Sequence, residues 1–587
     1  MFTRGLTLWC ILGWLITFSA YTQVPCEVES AGYDHACMQG VQPIKREVGT
    51  NTAQRSDTDY EALGEYYQYV TQEFRKVLPP SLDDNVAVVL DPEYARFPYW
   101  YVNENLIFNQ YTYEYVSSRV LPGPVLGTVE LSEGNGFTNA YIQVLSGTTY
   151  HLSIWQQTLL SQQQKSLEQL SNNIVQTYEQ IYGVITDAQI ESANTALTEF
   201  QVGISTKLDF VFTYVIGYLW SARDQQNLAP LSFTQLVNLP NLIRYLPEMP
   251  ADGAILLPTI TLYFHLYSRV KAVNDTLQVN TNALNQTLDN AQHPTHANGG
   301  IEVFDPVNGK VSPNLLPGYA IGLSLAEIQN ALSDKSRVIS LSFTVSSDSK
   351  RQQTTEAGAY PMQGKVMFSN DQGQAVNLGE IASDGKVTID VVYQGYIYVP
   401  IFRADFSSSS ASGWFYSNPI WQASQNCGRA VTGYHFVVPP PFNFSELAQG
   451  GDFGTLSGVL IANSPQVTIS IQPSSTAQGE IKSMADRLGM GSIRIEGVPL
   501  VGRLNQRFHH VSVTLPKEKS SGEPVYFVVT DSQDDDDEKS KPVTVPAEMQ
   551  MADVLLASIL YPGSQEDTVS AKCENEKGTS LAQGYSL

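Results

Sequence analysis

Apolar residues recur every three or four positions in two long stretches of this chain. In the first, proline-free from Leu152 to about Thr206, Leu160, Leu167, Leu170, Ile174, Ile181 and Val184 fall close to a seven-residue repeat, with Gln163 and Thr177 as polar fillers. The pattern predicts an amphipathic helix with an imperfect coiled-coil seam, bent or ended at Gly183 or Gly203. The second begins near Thr261. There Leu266, Val270, Val273, Leu277, Leu284 and Leu288 form one stripe, interrupted by polar Asn280. The second helix follows closely enough to fold back on the first, which predicts a long antiparallel helical pair.

Two apolar runs lie between these seams, Phe210 to Trp220 and Ala254 to Tyr267. The stretch joining them has few charges and is broken by Pro230, Pro240, Pro247 and Pro250. Each run is shorter than the ~20 residues of a spanning helix, but long enough for a membrane strand or half of a helical hairpin. The simpler expectation is that both pack on the seam as core.

From about Ser336 to Thr530 the period changes to two. Val338–Val345, Val387–Val392, Tyr396–Ile401, Val467–Ile471, Val511–Leu515 and Val525–Val529 read as strands, separated by Gly, Ser, Asp and Pro clusters. The fold class expected is therefore α+β: the helical pair plus a C-terminal antiparallel, sandwich-like β-region. Tyr111, Tyr113 and Tyr115 alternate as they would on one strand face. Phe97–Tyr101 resembles an aromatic stacking surface, although such runs are more often core. Met549–Leu560 reads as a last short helix.

The resulting division is a signal segment (1–22), an aromatic-rich α+β unit (23–150) and a helical hairpin with its apolar connection (151–292). A linker (293–335), a β-rich region (336–530) and an acidic tail (531–587) follow. The first segment is assigned from Arg4, the apolar run Leu6–Phe18 and the small or polar residues after it, the layout of a secretory signal peptide. Secretion into an extracellular compartment is the expectation. Four cysteines remain in the mature chain, Cys26, Cys37, Cys427 and Cys573, an even number suited to two disulfides. Four cysteines allow three pairings; Cys26 with Cys37 and Cys427 with Cys573 is the simplest. Asn274, Asn285 and Asn443 head N-x-S/T sequons. The first two stand about 60–100° from the second helix's stripe, where glycans would leave packing free.

Acidic residues outnumber basic ones 58 to 34, a net charge of −24, which disfavours nucleic acid and anionic membranes as partners. Only 16% of residues are charged, so solubility rests on neutral polar groups and glycans. The block Asp534–Glu538 lacks the spacing of a calcium loop and offers a weak calcium contact at most. His293-Pro-Thr-His296 lacks a completing ligand set, and His509-His510 would face opposite sides of a strand. No nucleophile elbow, zinc-protease motif or phosphate loop is present, so no catalytic, cofactor or metal residue is assigned. Carboxylate pairs of glycoside hydrolases leave no such motif, which keeps a secreted hydrolase as the third reading. The expected function is non-enzymatic: a secreted acidic glycoprotein of the extracellular matrix, self-associating or binding a protein, glycan or mineral surface. The alternative is a membrane-active, pore-forming protein that inserts the apolar hairpin 208–267.

Overall fold

Apolar segments from opposite ends of the chain pair edge to edge at the centre of this fold. The computed structural model describes residues 57–82, 86–90, 96–99, 107–123, 127–197, 203–212, 255–346, 359–370, 375–447, 450–474, 477, 491–496, 507–514, 524–529 and 551–563. The signal segment, Cys26, Cys37, Cys573, residues 213–254 of the apolar connection and the acidic block Asp534–Glu538 lie outside them.

Helix α1 (Asp57–Arg75) precedes strands β1 (Val86–Leu90), β2 (Arg96–Pro98) and β3 (Ile107–Asn109). Helix α2 (Gln110–Val116), strands β4 (Arg119–Pro122) and β5 (Thr128–Leu131), helix α3 (Gly136–Ser146) and strand β6 (Thr148–His151) follow. Next come α4 (Ile154–Tyr182), α5 (Asp187–Leu197) and α6 (Leu257–Gln292). Strands β7 (Gly300–Asp305), β8 (Lys310–Val311), β9 (Leu316–Pro317) and β10 (Tyr319–Ile321) lead to α7 (Leu325–Ser333). Strands β11 (Val338–Ser346), β12 (Tyr360–Gln363), β13 (Lys365–Asn370), β14 (Ala375–Asn377), β15 (Lys386–Gln394) and β16 (Tyr396–Arg403) precede α8 (Asn418–Gln425). The last strands are β17 (Gly433–Phe436), β18 (Gly454–Ala462), β19 (Gln466–Ile471), β20 (Gly491–Glu496), β21 (Arg507–Thr514), β22 (Val525–Val529) and β23 (Met551–Leu560). The fold is mixed α+β.

β18 pairs with β4, β4 with β5, β5 with β1, β1 with β23, and β23 with β18, so five strands close a ring. Only β1–β5 is parallel within it. Closure removes free edges. β16 and β10 extend the sheet from β18, and β2 adds to β23. β23 is buried at eight successive positions. Leu555 and Leu556 enter one apolar core, while Val554, Ala557 and Ile559 enter the other. Gly458 sits at a register shift in β18. A Cβ there would stand 2.0 Å from Tyr398 Oη, which is itself hydrogen-bonded to Ser558 Oγ at 2.6 Å. Gly458→Ala should therefore lower stability by about 1–3 kcal/mol, read from the denaturant midpoint.

The second sheet has nine strands in the order β12-β11-β15-β19-β22-β21-β20-β13-β14. It is antiparallel except for β11–β12. Gly364 alone separates β12 from β13, which stand near opposite ends of that order. The sheet must therefore curl until its ends are neighbours, and Phe368 of β13 reaches Phe527 of β22 at 5.3 Å. Its inner face, helix α1 and one face of the ring share a core that includes Phe74, Phe343, Ile389 and Ile469.

Several expectations are corrected. Tyr111, Tyr113 and Tyr115 lie on helix α2, because Asn109 Oδ1 accepts the amides of Tyr111 and Thr112 and starts a helical turn there. Phe97 is fully buried against Tyr115, so it is core and not a stacking surface; Trp100 and Tyr101 lie outside the described residues. Residues 293–335 carry four strands and a helix instead of a bare linker. Strand β18 stands outside the nine-stranded C-terminal sheet and pairs with β4 of the N-terminal half, and β16 goes with it, paired to β18 and β10. Met551–Leu560 is a strand within the segment read as acidic tail; burial on both faces erased any period in its sequence. The first long helix does end at Gly183, one of the two breaks expected, where a left-handed backbone (φ +93°) ends the helical hydrogen bonding.

Candidate functional site

Helices α4 and α6 pack on each other along the two stripes read from the sequence. On α6, Ile260, Tyr263, Val270 and Leu284 are buried, and Leu266, Val273, Leu277 and Leu288 are half-buried. On α4, Leu160, Leu167 and Leu170 are half-buried and Ile174 is buried. Beyond Ile174 the seam passes to Tyr178 and Tyr182, while Ile181 and Val184 turn to solvent. An undistorted helix advances by 3.6 residues rather than 3.5, and over three turns the stripe drifts to the tyrosines. Helix α4 makes its main contact with α6, so most of its surface faces solvent over about 43 Å at 1.5 Å per residue. The two helices thus make an arm.

At one end the arm is jointed to the body by the two-stranded ribbon β6–β17, in which Tyr150 faces Tyr434 and His151 faces Gly433. Ser153 caps α4 by accepting the Gln156 amide, and its own amide donates to Thr432 Oγ1 at 2.9 Å. Thr432 also hydrogen-bonds the Gln156 side chain. Tyr434 Oη donates to the Asn280 carbonyl of α6 at 3.2 Å. The α6 root is fixed by Asn290, whose Nδ2 donates to the Gly413 carbonyl at 2.7 Å and whose Oδ1 accepts from Asn298 and Gln286, each at 3.0 Å.

At the other end is a small core of its own. Tyr178 meets Phe210 edge-on at 6.2 Å, and Phe212 packs on Tyr263 and Phe264 at 5.3 and 4.9 Å. Ile185, Ile204 and Leu256 are buried with them, and none of these belongs to either core of the body. Burial pushes the Tyr178 and Tyr263 phenols up to about 12. Lys207 Nζ donates to Glu179 Oε1 at 2.6 Å, which holds the Glu179 carboxyl below its usual range. Asp209 Oδ2 accepts from the amides of Ser205 and Thr206 and from Ser205 Oγ, which fixes the turn into the first apolar segment. A recess of about 500 Å³ beside this turn is lined by Ser171, Gln176, Thr206, Lys207 and Asp209. At this end Val184 (70% exposed), Ile255 (65%) and Leu262 (56%) show apolar side chains to solvent.

Asn274 and Asn285 are exposed on α6, off the seam. Asn443 is half-buried; its Nδ2 donates to Gly450 O at 3.1 Å and its Oδ1 accepts from Ser445 Oγ at 2.7 Å. Cys427 is disulfide-bonded, and every other cysteine lies outside the described residues. Ser424, three residues before it, donates to the carbonyl of Gly563, ten before Cys573. His293 pairs with Asp289 at the end of α6. His509 and His510 occupy successive positions of β21. Among the described residues no group of three or more His, Cys, Asp or Glu is placed to hold a metal, and no helix is long and apolar enough to cross a membrane.

The joint was not foreseen from sequence. Its one local signal is the Tyr-His dipeptide, present at 150–151 and again at 434–435; the antiparallel register sets Tyr150 opposite Tyr434 and leaves the two histidines diagonal to each other. Compared with protein-family models, curated proteins and solved structures, the chain matches none.

Proposed function

We propose that this chain is a secreted, non-enzymatic glycoprotein that acts at a lipid bilayer through its arm. In this reading α4 and α6 are a long antiparallel helical pair, and the curled nine-stranded sheet is a sandwich-like part of the body. Glycans on Asn274 and Asn285 cover the solvent face of α6, and disulfides, Cys427 with Cys573 among them, secure the body. The observation that carries the reading is the separation of the arm's far end: it has its own aromatic core, and Val184, Ile255 and Leu262 are exposed there. That is where the apolar segments Phe210–Trp220 and Ala254–Tyr267 enter and leave. The net charge of −24 directs the protein to neutral lipid, since an anionic surface repels it.

Dye release and flotation with phosphatidylcholine vesicles test the proposal. The mature protein should float with the vesicles and empty them. Exchanging an inserted Leu for Asp costs about 3 kcal/mol at the bilayer centre. Leu262→Asp with Ile255→Asp should thus weaken membrane partition by at least roughly a hundredfold, with little change in folding because both side chains are exposed. A wild-type protein that neither floats with the vesicles nor empties them overturns the proposal.

A second reading, a self-associating or matrix component binding protein, glycan or mineral, is favoured by apolar exposure beside the joint. Ile154 is 66% and Trp155 45% exposed, and Val437 and Val438 stand out at the other end of the ribbon. Concentration-dependent sedimentation that Trp155→Ser abolishes would support it.

A further inference from the structure

We propose that His151 and His435 form an acid-sensitive latch at the joint, closed at neutral pH and released as the pH falls below the ordinary histidine range. Strands β6 and β17 bring Thr149, His151, Gly433 and His435 to one face of the ribbon. Gly433, directly opposite His151, has no side chain, so the ring of His435 reaches diagonally across the gap. The two imidazoles stack with centroids 4.0 Å apart and planes at 24°. Substitution at Gly433 is closed off twice: its φ is +143°, and a Cβ would stand 2.8 Å from Asn426 Nδ2 and from Gln422 Oε1. His435 Nε2 donates to the Val431 carbonyl at 2.7 Å, which fixes its ring.

The charges around the stack make it one-sided. Tyr150 and Tyr434 belong to the opposite face of the ribbon, where Tyr434 meets α6 at Asn280, with Tyr416 nearby. Helix α8, packed against both strands, carries no charged residue. Helix α6 turns Asn280, Leu284 and Thr287 inward, with Asp275 and Asp289 exposed. The first charges of α4 are Lys165 and Glu168, three turns from the joint. Arg429, in the loop before β17, is a cation and is exposed. Among the described residues the one ionisable group acting on His435 is His151, while the hydrogen bond to the Val431 carbonyl favours its charged form. Among the described residues no carboxylate acts on either imidazole to offset a second proton.

Burial lowers both imidazoles from 6.5; for His435 the Val431 hydrogen bond offsets part of this and the neighbouring imidazole lowers it again, with burial prevailing. The sign follows. The opened joint binds protons more readily than the closed one, so the closed state is fully favoured above pH 6.5 and loses ground as pH falls through 6.5 toward the lowered values. Each imidazole contributes up to about tenfold per pH unit within that window. Opening frees what the ribbon holds: the Ser153–Thr432 tie to α4 and the Tyr434–Asn280 tie to α6. The latch rests on the proposed role of the arm for its purpose, but its test uses no membrane.

Hydrogen exchange on the full mature protein, corrected for intrinsic rates, would be compared at pH 7.5 and pH 5.0. Amides of 148–157 and 432–436 should lose protection by roughly ten- to a hundredfold in acid, while those of 386–394 hold. The double variant His151→Phe, His435→Phe keeps two stacked rings without titration and should show no loss. Unchanged wild-type protection, or an equal loss in the variant, would overturn the latch. Should the variant fail to fold, NMR titration of the ¹³C-labelled histidines in the wild type decides: two of the imidazoles titrating together below 6.5 support it, and all titrating near 6.5 overturn it. Acid opening without vesicle binding would leave the latch standing and remove the membrane role.

Discussion

Replacing Trp414 with alanine is expected to lower the stability of the body by about 4–8 kcal/mol, more than any other single change. Truncating a buried Trp costs about 3–5 kcal/mol in lost burial and cavity formation. Trp414 is fully buried, with Tyr319 at 5.4 Å, Tyr141 at 5.6 Å and Phe415 at 5.8 Å around it. The indole also donates Nε1–H to the Gly318 carbonyl at 2.8 Å. Loss of that donor leaves a buried acceptor unpaired, a further cost of about 1–3 kcal/mol. The neighbourhood cannot close over the gap, because Gly413 (φ +88°) lies hard against the Asp405 backbone and Arg403 stacks on Phe415 at 4.9 Å. Against a typical total of about 5–15 kcal/mol, such a loss is decisive. Urea unfolding followed by far-UV circular dichroism should show the body's midpoint falling with little change in slope. Trp414→Phe, which keeps most of the ring and loses the donor, should fall between the two.

The sequence was most readable where one face of an element is wet. The α6 stripe was legible because Leu266, Val270, Val273, Leu277, Leu284 and Leu288 keep the helical period while Asn274 and Asn285 stay outside. Strands β11 and β15 were legible for the same reason, alternating exposed or half-buried residues with buried ones. β23 and β18 were not, since burial on both faces leaves no alternation of apolar and polar positions to read. The ring also depends on pairing Val86 with Ile559, a contact no local pattern announces. Tyr111–Tyr115 misled because strand preference in tyrosine is weak beside a cap supplied by Asn109. Of the site, both stripes and the apolar segments could be read, but the joint could not. His151 and His435 meet only through the register of a ribbon whose strands are separated in sequence by the arm and by every element from β7 to α8.

Asn290→Ala should loosen the arm where the latch does not act, and the contrast separates the two fixings. Asn290 is 2% exposed, and its amide spans three elements: Nδ2 to the Gly413 and Ala411 carbonyls, Oδ1 to Asn298 Nδ2 and to Gln286 Nε2. Alanine removes both sides of the amide and strands the Gly413 carbonyl and the Asn298 donor in a buried site. At about 1–3 kcal/mol for each unpaired buried group, the expected loss is about 3–4 kcal/mol. The loss has no pH dependence between 5 and 7.5, because no member of this network titrates there. Hydrogen exchange should show deprotection of 283–298 at both pH values, with 148–157 still protected at pH 7.5. An arm whose α6 root is held by neutral amides and whose α4 root is held beside two imidazoles responds to acid on one side only. The arm would then pivot on α6 while α4 comes free, and deprotection of both roots together in the Asn290 variant at neutral pH would show instead that they yield as one unit.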